Sequence, residues 1–286
     1  MSRQTTATSW IVAAVVVLAV VAVGIFLARR AMHRDSPSAT IATARNARAQ
    51  GASSTSRQPI QHPIEMAQGG PASASTVALP ALPASDGDVA AALVELAGGD
   101  RLHAVLVPRQ IIARMVATLD ALPRHDGLGV FMLPVQTPKG AFTTTIVDGT
   151  PTISTQNAAR YAPYMALLEH TDPRALVAWY VRAYPLFQAA YQQLGYPHGY
   201  FNDRLLVVID DLLAAPEPAH PAALHVKQGY YTYADPALES LSTGQKLLLR
   251  VGPTNAVRIK AKLREIRIRL VGQIPPTTRS ATSATQ

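Results

Sequence analysis

Nineteen consecutive residues without a charge, WIVAAVVVLAVVAVGIFLA from Trp10 to Ala28, constrain this chain more than any other feature. As a helix rising about 1.5 Å per residue, the run would span roughly 28 Å, close to the hydrocarbon thickness of a bilayer. Trp10 suits one interface, while Arg29, Arg30 and Arg34 suit the other. A cleaved signal peptide would have a shorter apolar region and a more basic start, and AMHRDS is a poor cleavage site. The expectation is a tail over 1–9 and a single-pass transmembrane helix over 10–28. Counting basic residues, Arg3 and the amino terminus before the span against three Arg after it favours a cytoplasmic domain by one charge. A short tail, one span and a long polar linker is nevertheless the plan of a bacterial inner-membrane protein that hangs its domain in the periplasm. That is the orientation expected.

After the span the composition changes. Residues 29–85 are rich in Ala, Ser, Thr, Pro, Gln and Gly with hardly an apolar period, so they read as a flexible linker. About fifty such residues reach roughly 40 Å on average and at most about 170 Å. The tail over 273–286, with its PPTTRSATSATQ, reads the same way. Charge follows this division. Of the net +8, residues 1–85 hold seven Arg against Asp35 and Glu65, whereas residues 86–274 hold eighteen Lys and Arg against sixteen Asp and Glu. The folded part is nearly neutral, which argues against a nucleic-acid partner. With no cysteine there is no disulfide framework, thiol nucleophile or thiolate metal site.

Residues 86–272 read as one mainly α globular domain. SDGDVAAALVELAGG has Ser85 and Asp86 as caps, and RQIIARMVATLDALP repeats the plan before Pro123. AFTTTIVDGTPTIST alternates around Asp148-Gly149, a dipeptide that tolerates positive φ at both positions and so favours a tight hairpin. TQNAARYAPYMALLEH is helical. DPRALVAWYVRAYPLFQAAYQQLG starts with Asp172 as N-cap and Pro173 at the first turn, and Pro185 should kink it. FNDRLLVVIDDLLAAPEP is a further helix, ALHVKQGYYTYA an extended segment, and three helices follow, with stops at Gly252 and Gly272.

The strings NAARYAPY, YPLFQAAYQQLGYPHGYFNDRLLVVIDDLLAAPEP and ADPALESLSTGQKLLLRVGPTNAVRIKAKLREIR resemble an uncharacterised bacterial family of membrane-anchored proteins, domain-of-unknown-function family 3014. The resemblance covers essentially the whole folded part. It implies an envelope setting and carries no activity, substrate or catalytic residue.

Candidate sites therefore rest on the residues. Tyr180, Tyr184, Phe187 and Tyr191 step by i, i+4, i+7 and i+11 down one helix face, a pattern that core most often explains. Its functional counterpart is an aromatic-walled groove for a glycan or extended peptide, with Tyr196, Tyr200, Asn202 and Asp203 as the polar end. Asn202 or Asp203 is also the expected N-cap of the next helix, and Tyr200, Asn202 and Asp203 are the groups expected to face a partner. Asp203, Asp210 and Asp211 form a polar strip on an apolar helix. Carboxylates seven residues apart are about 10 Å apart along the axis, longer than acid–base pairs usually stand. In the last helix Ala256, Ile259, Leu263, Ile266 and Leu270 form an apolar stripe, and Arg258, Lys260, Lys262, Arg264, Arg267 and Arg269 make the rest basic. Such a face either binds anionic lipid or is solvated and paired with acids elsewhere in the domain.

No phosphate-cradling loop, nucleophile elbow or zinc motif is present, and HPAALH spaces its imidazoles by five without an acidic helper. No metal and no cofactor is expected. The expected function is a membrane-tethered, non-enzymatic envelope binding or scaffold module with a protein or glycan partner. The two alternatives are an envelope hydrolase on the acidic strip and a lipid or nucleic-acid binder on the basic helix.

Overall fold

A computed structural model of the chain describes residues 60–67, 79–97, 99–125, 132–227 and 230–272. The expected transmembrane helix over 10–28 and the two tails lie outside them. Among the described residues no helix is both long and apolar enough to cross a membrane.

Helix α1 (Asp86–Leu96) and helix α2 (Ile111–Ala121) are joined by a cap that reverses the expected one. The Ser85 hydroxyl donates to the Leu82 carbonyl (2.8 Å) and caps nothing. Asp86 serves the other helix: its carboxylate accepts the amides of Gln110 (2.6 Å) and Ile111 (2.8 Å). Gln110, at φ 51°, stands at the N-cap of α2 without a side-chain cap of its own, so the acceptor comes from 25 residues earlier.

Strands β1 (Thr144–Val147) and β2 (Thr150–Ile153) pair antiparallel about Asp148 (φ 49°) and Gly149 (φ 77°), the positive pair the tight turn requires. A 3₁₀ stretch, Thr155–Tyr161, leads into α3 (Ala162–His170). Then α4 (Pro173–Gln193) is capped by Asp172, whose carboxylate accepts from the Arg174 amide at 2.8 Å. It runs on as one helix through Pro185, which lies on its exposed face, where the ring meets solvent. Helix α5 (Phe201–Leu213) follows. The segment expected to be simply extended folds back as a second hairpin, β3 (Leu224–Lys227) against β4 (Tyr230–Tyr233). Its edge meets the first hairpin at Thr152 and Ala223. The chain closes with α6 (Pro236–Glu239), α7 (Thr243–Arg250) and α8 (Pro253–Val271). A Ser242–Gln245 capping box starts α7, and Gly252 (φ 89°) and Gly272 (φ 70°) bound α8.

The helices form one body. Helix α4 packs on α2, α5 and α8, while α8 also touches α3 and α7. The expected stripes meet in the middle: Tyr180, Phe187 and Tyr191 of α4 and Ile259, Leu263 and Leu270 of α8 are all buried in one cluster. Burying each such side chain contributes about 1.5–3 kcal/mol against exposure, so two stripes account for much of the body's cohesion. Gly244 allows α7 its close approach: a Cβ there would stand 2.7 Å from Leu212 Cδ2 and 3.4 Å from the Leu122 carbonyl oxygen.

The linker expected over 29–85 contains a docked piece. Residues 60–67 lie against α4 and α8 through a single 3₁₀ turn, Ile64–Met66, with Ala67 in the main core. Ile64 and Ala67 interrupt the polar text at a spacing too short to register as a period, which is why composition alone hides them.

Candidate functional site

The aromatic stripe is core. Tyr180 and Phe187 meet edge to face at 5.2 Å, Phe187 stacks on Phe201 at 5.5 Å, and Tyr191 stacks on Tyr196 at 4.5 Å. Such pairs add about 0.5–1.5 kcal/mol each beyond their burial. The hydroxyls find partners: Tyr180 donates to Asn202 Oδ1 (3.2 Å) and Tyr184 to Gln188 Oε1 (2.9 Å). Burial pushes the phenol of Tyr180 well above its ordinary range and that of Tyr184 up to about 12. Gln188 also ties down the turn after α4, donating to the Gly199 carbonyl (2.8 Å) and accepting the Phe201 amide (2.9 Å).

The start of α5 departs from expectation. The helix begins at Phe201 with Tyr200 at the N-cap and no side-chain cap, so Asn202 and Asp203 lie inside the first turn and serve another segment. Asp203 accepts the amides of Gln61 (3.1 Å) and His62 (2.7 Å), one on each oxygen. Asn202 is fully buried and donates to the His62 carbonyl at 2.9 Å. It is therefore not a solvent-facing group. Leaving its buried amide without that acceptor would cost about 1–3 kcal/mol.

Beside this contact lies an open cleft of about 370 Å³, lined by Tyr191, Gly199, Tyr200, Asp203, Arg204, Val207 and Gln61. It brings together three of the expected residues, Tyr191, Tyr200 and Asp203. Val207 is 50% exposed and Tyr200 half-buried, so both are reachable from solvent.

The floor of the cleft rests on a residue that sequence reasoning passed over. Asp120, nearly buried on α2, accepts from Arg204 Nε (2.9 Å), from the Tyr196 hydroxyl (3.2 Å) and from Arg124, while Arg204 also donates to the Asp120 carbonyl (2.6 Å). Tyr196, expected at the open polar end, is thus held by Asp120 and by Arg124 (2.5 Å). The available signal was a lone carboxylate among the apolar positions of IIARMVATLDA.

The acidic strip does not converge. Asp203 turns to residues 61 and 62, and Asp210 makes a two-pronged pair with Arg267 (2.5 and 3.1 Å). Asp211 accepts from the Ser242 hydroxyl at 2.7 Å, and burial holds its carboxyl above the usual carboxylate range. The basic face is likewise drawn inward. Arg258 pairs with Glu169 (2.6 Å), and Lys262 donates to the Thr171 carbonyl (3.0 Å). Lys260 is buried, reaching the Ala215 carbonyl (2.5 Å) and Glu217 (2.6 Å), and its hydrogen bond lowers the Glu217 pKa. Arg269 is also engaged, and Arg264 is exposed. Of the two outcomes open to such a face, pairing with acids of the same domain describes Arg258, Lys260 and Arg267.

Fold and cleft together define a mainly helical domain with paired hairpins at one side and a clamped N-terminal segment at another. A family model, described as "Protein of unknown function (DUF3014)", matches residues 111–267. The chain belongs to that family. No curated protein and no solved structure matches it. The matched stretch takes in every lining residue of the cleft but Gln61, together with Asp120 and most of α8, and begins well after the clamped segment.

Proposed function

We propose that this protein is a membrane-tethered, non-enzymatic binding module of the bacterial envelope, anchored in the inner membrane by residues 10–28 and presenting its domain to the periplasm. The observation that carries the binding reading is the cleft at Tyr200 and Val207. It is open and mixed in character, and its charged groups are already engaged, Asp203 by two amides and Arg204 by Asp120. A groove of that kind offers shape and fixed hydrogen bonds, and its carboxylate and guanidinium are both already paired within the domain. The anchor and its orientation rest on the uncharged span and the long polar linker that follows it.

The binding reading is tested by placing a photo-crosslinking residue at Val207 of the full chain in cells. One discrete adduct from Val207, absent from the same probe at Val226 on the second hairpin, supports it. Failure to form an adduct at Val207, or the same adducts from both positions, overturns it. A carboxy-terminal reporter active only outside the cytoplasm checks the orientation, and an inactive fusion would reverse it.

A further inference from the structure

Residues 60–67 are bound by the domain as a peptide ligand is bound. Recognition begins on the main chain, where Asp203 takes the amides of Gln61 and His62, and Asn202 gives its amide to the His62 carbonyl. None of these bonds reads a side chain of the segment. Pro63 follows with φ −58° and opens the 3₁₀ turn, Ile64 packs on the main core, and Ala67 is 4% exposed. Gln61 and Glu65 remain exposed. What the seat selects is two amides and a carbonyl, then proline, an aliphatic residue and, three positions on, a small one.

The seat is shaped from within the domain. The Tyr180 hydroxyl donates to Asn202 Oδ1, which orients the buried amide so that its Nδ2 meets the segment, and Tyr180 is itself wedged against Phe187 and Tyr184. The family match covers this receiving half, Asn202 and Asp203, and excludes the occupant.

We propose that the seat is a peptide-recognition site whose resident occupant is the chain's own segment 60–67. Its ligand in trans is a short stretch of a partner protein with the same pattern: free amides, then Pro opening a turn, an aliphatic residue and a small residue. This names the ligand class of the binding function proposed above and rests on that reading. An occupant on the same chain needs little intrinsic affinity, because tethering holds it at an effective concentration in the millimolar range. Gln61 and Asp203 belong both to the seat and to the open cleft, so a longer ligand running back past the position of Gln61 gains the Tyr200 and Val207 surface as well.

The test uses the full chain and a fluorescein-labelled peptide of residues 57–68, RQPIQHPIEMAQ, read by fluorescence polarisation. The resident segment is released in two ways: Ile64→Asp, which places a charge against the core, and His62→Pro, which removes a donated amide and fixes the backbone at that position. Both released chains should bind the peptide about tenfold or more tightly than the unaltered chain, and adding Asp203→Lys should reverse the gain. A peptide with Ala at the positions of Gln61, His62 and Glu65 should bind within about threefold, and one carrying Ile64→Asp should not bind. Absence of saturable binding to either released chain while it still melts cooperatively overturns the inference, as does binding indifferent to Asp203→Lys. If the Val207 adduct forms while the peptides do not bind, the binding function stands and the peptide assignment falls.

Discussion

The helical body and the hairpin layer follow the same burial rule at different scales. The body draws on every long helix and holds Phe187, Phe201, Ile209 and Leu247 at 2% exposure or less. Among the described residues the hairpins bury Ile153, Ala222, Leu224 and Tyr233, with Phe142, Tyr231, Leu238 and Leu249 packed against them, and leave Ile146 at 64% and Val226 at 63% exposure on their outer faces. A helix buried among others presents apolar groups to several neighbours. A two-stranded ribbon has one inner face and borrows its partner. Cohesion should therefore reside in the body, with the hairpins opening first.

Alkali gives the largest effect that can break this comparison. Burial holds Tyr161 and Tyr180 in the body and Tyr233 in the hairpins above 10.0, and Tyr164 at about 12. A phenol raised in the fold contributes stability that is complete below the unfolded value and lost as pH climbs through the folded one, so the protein should unfold above pH 10.0. Tyrosinate absorbance should rise together with loss of helical circular dichroism. A smooth titration centred at 10.0 with helix retained would mean the rings are not buried.

Next come two truncations. Phe187→Ala should cost about 3–5 kcal/mol in denaturant melts, because the ring fills a site closed on all sides. Leu224→Ala should cost about 2 kcal/mol, at the low end for its type, and act chiefly by speeding amide exchange of β3 and β4. Equal costs with global opening in both would merge the two regions into one cooperative unit.

A smaller effect sharpens the body's polar edge. Burial raises Asp211, so the fold takes up a proton more readily than the unfolded chain, and stability falls as pH rises from 3.8 through the raised value. Asp211→Asn should flatten that fall in a series of thermal melts, and an unchanged slope would assign it elsewhere. The smallest effect belongs to the outer hairpin face: Val226→Thr should change stability by no more than about 0.5 kcal/mol. A loss above that would show that Val226 packs against something.

The legible features were the local ones. The cap at Asp172, the Asp148-Gly149 turn and the α8 stripe depend on residues a few positions apart, and they stand where spacing put them. The aromatic stripe read as core for the same reason, since Tyr180, Phe187 and Tyr191 repeat at helical period. The second hairpin was half visible: its strands read as extended, but Gln228-Gly229 is a weaker turn signal than Asp148-Gly149.

Sequence by itself determined where the helices lie, which faces are apolar and that the domain is nearly neutral, because backbone propensity and burial period act over a few residues. Only the tertiary structure decided where the polar groups that reach across the fold go. Asp86 serves amides 24 and 25 residues away, Asp120 meets Arg204 across 84, and Asp203 grips His62 across 141. A carboxylate near any helix start satisfies local capping rules equally well on paper. Which donor it meets is set by how the packed helices bring distant backbone within about 3 Å, a distance no spacing in the chain encodes.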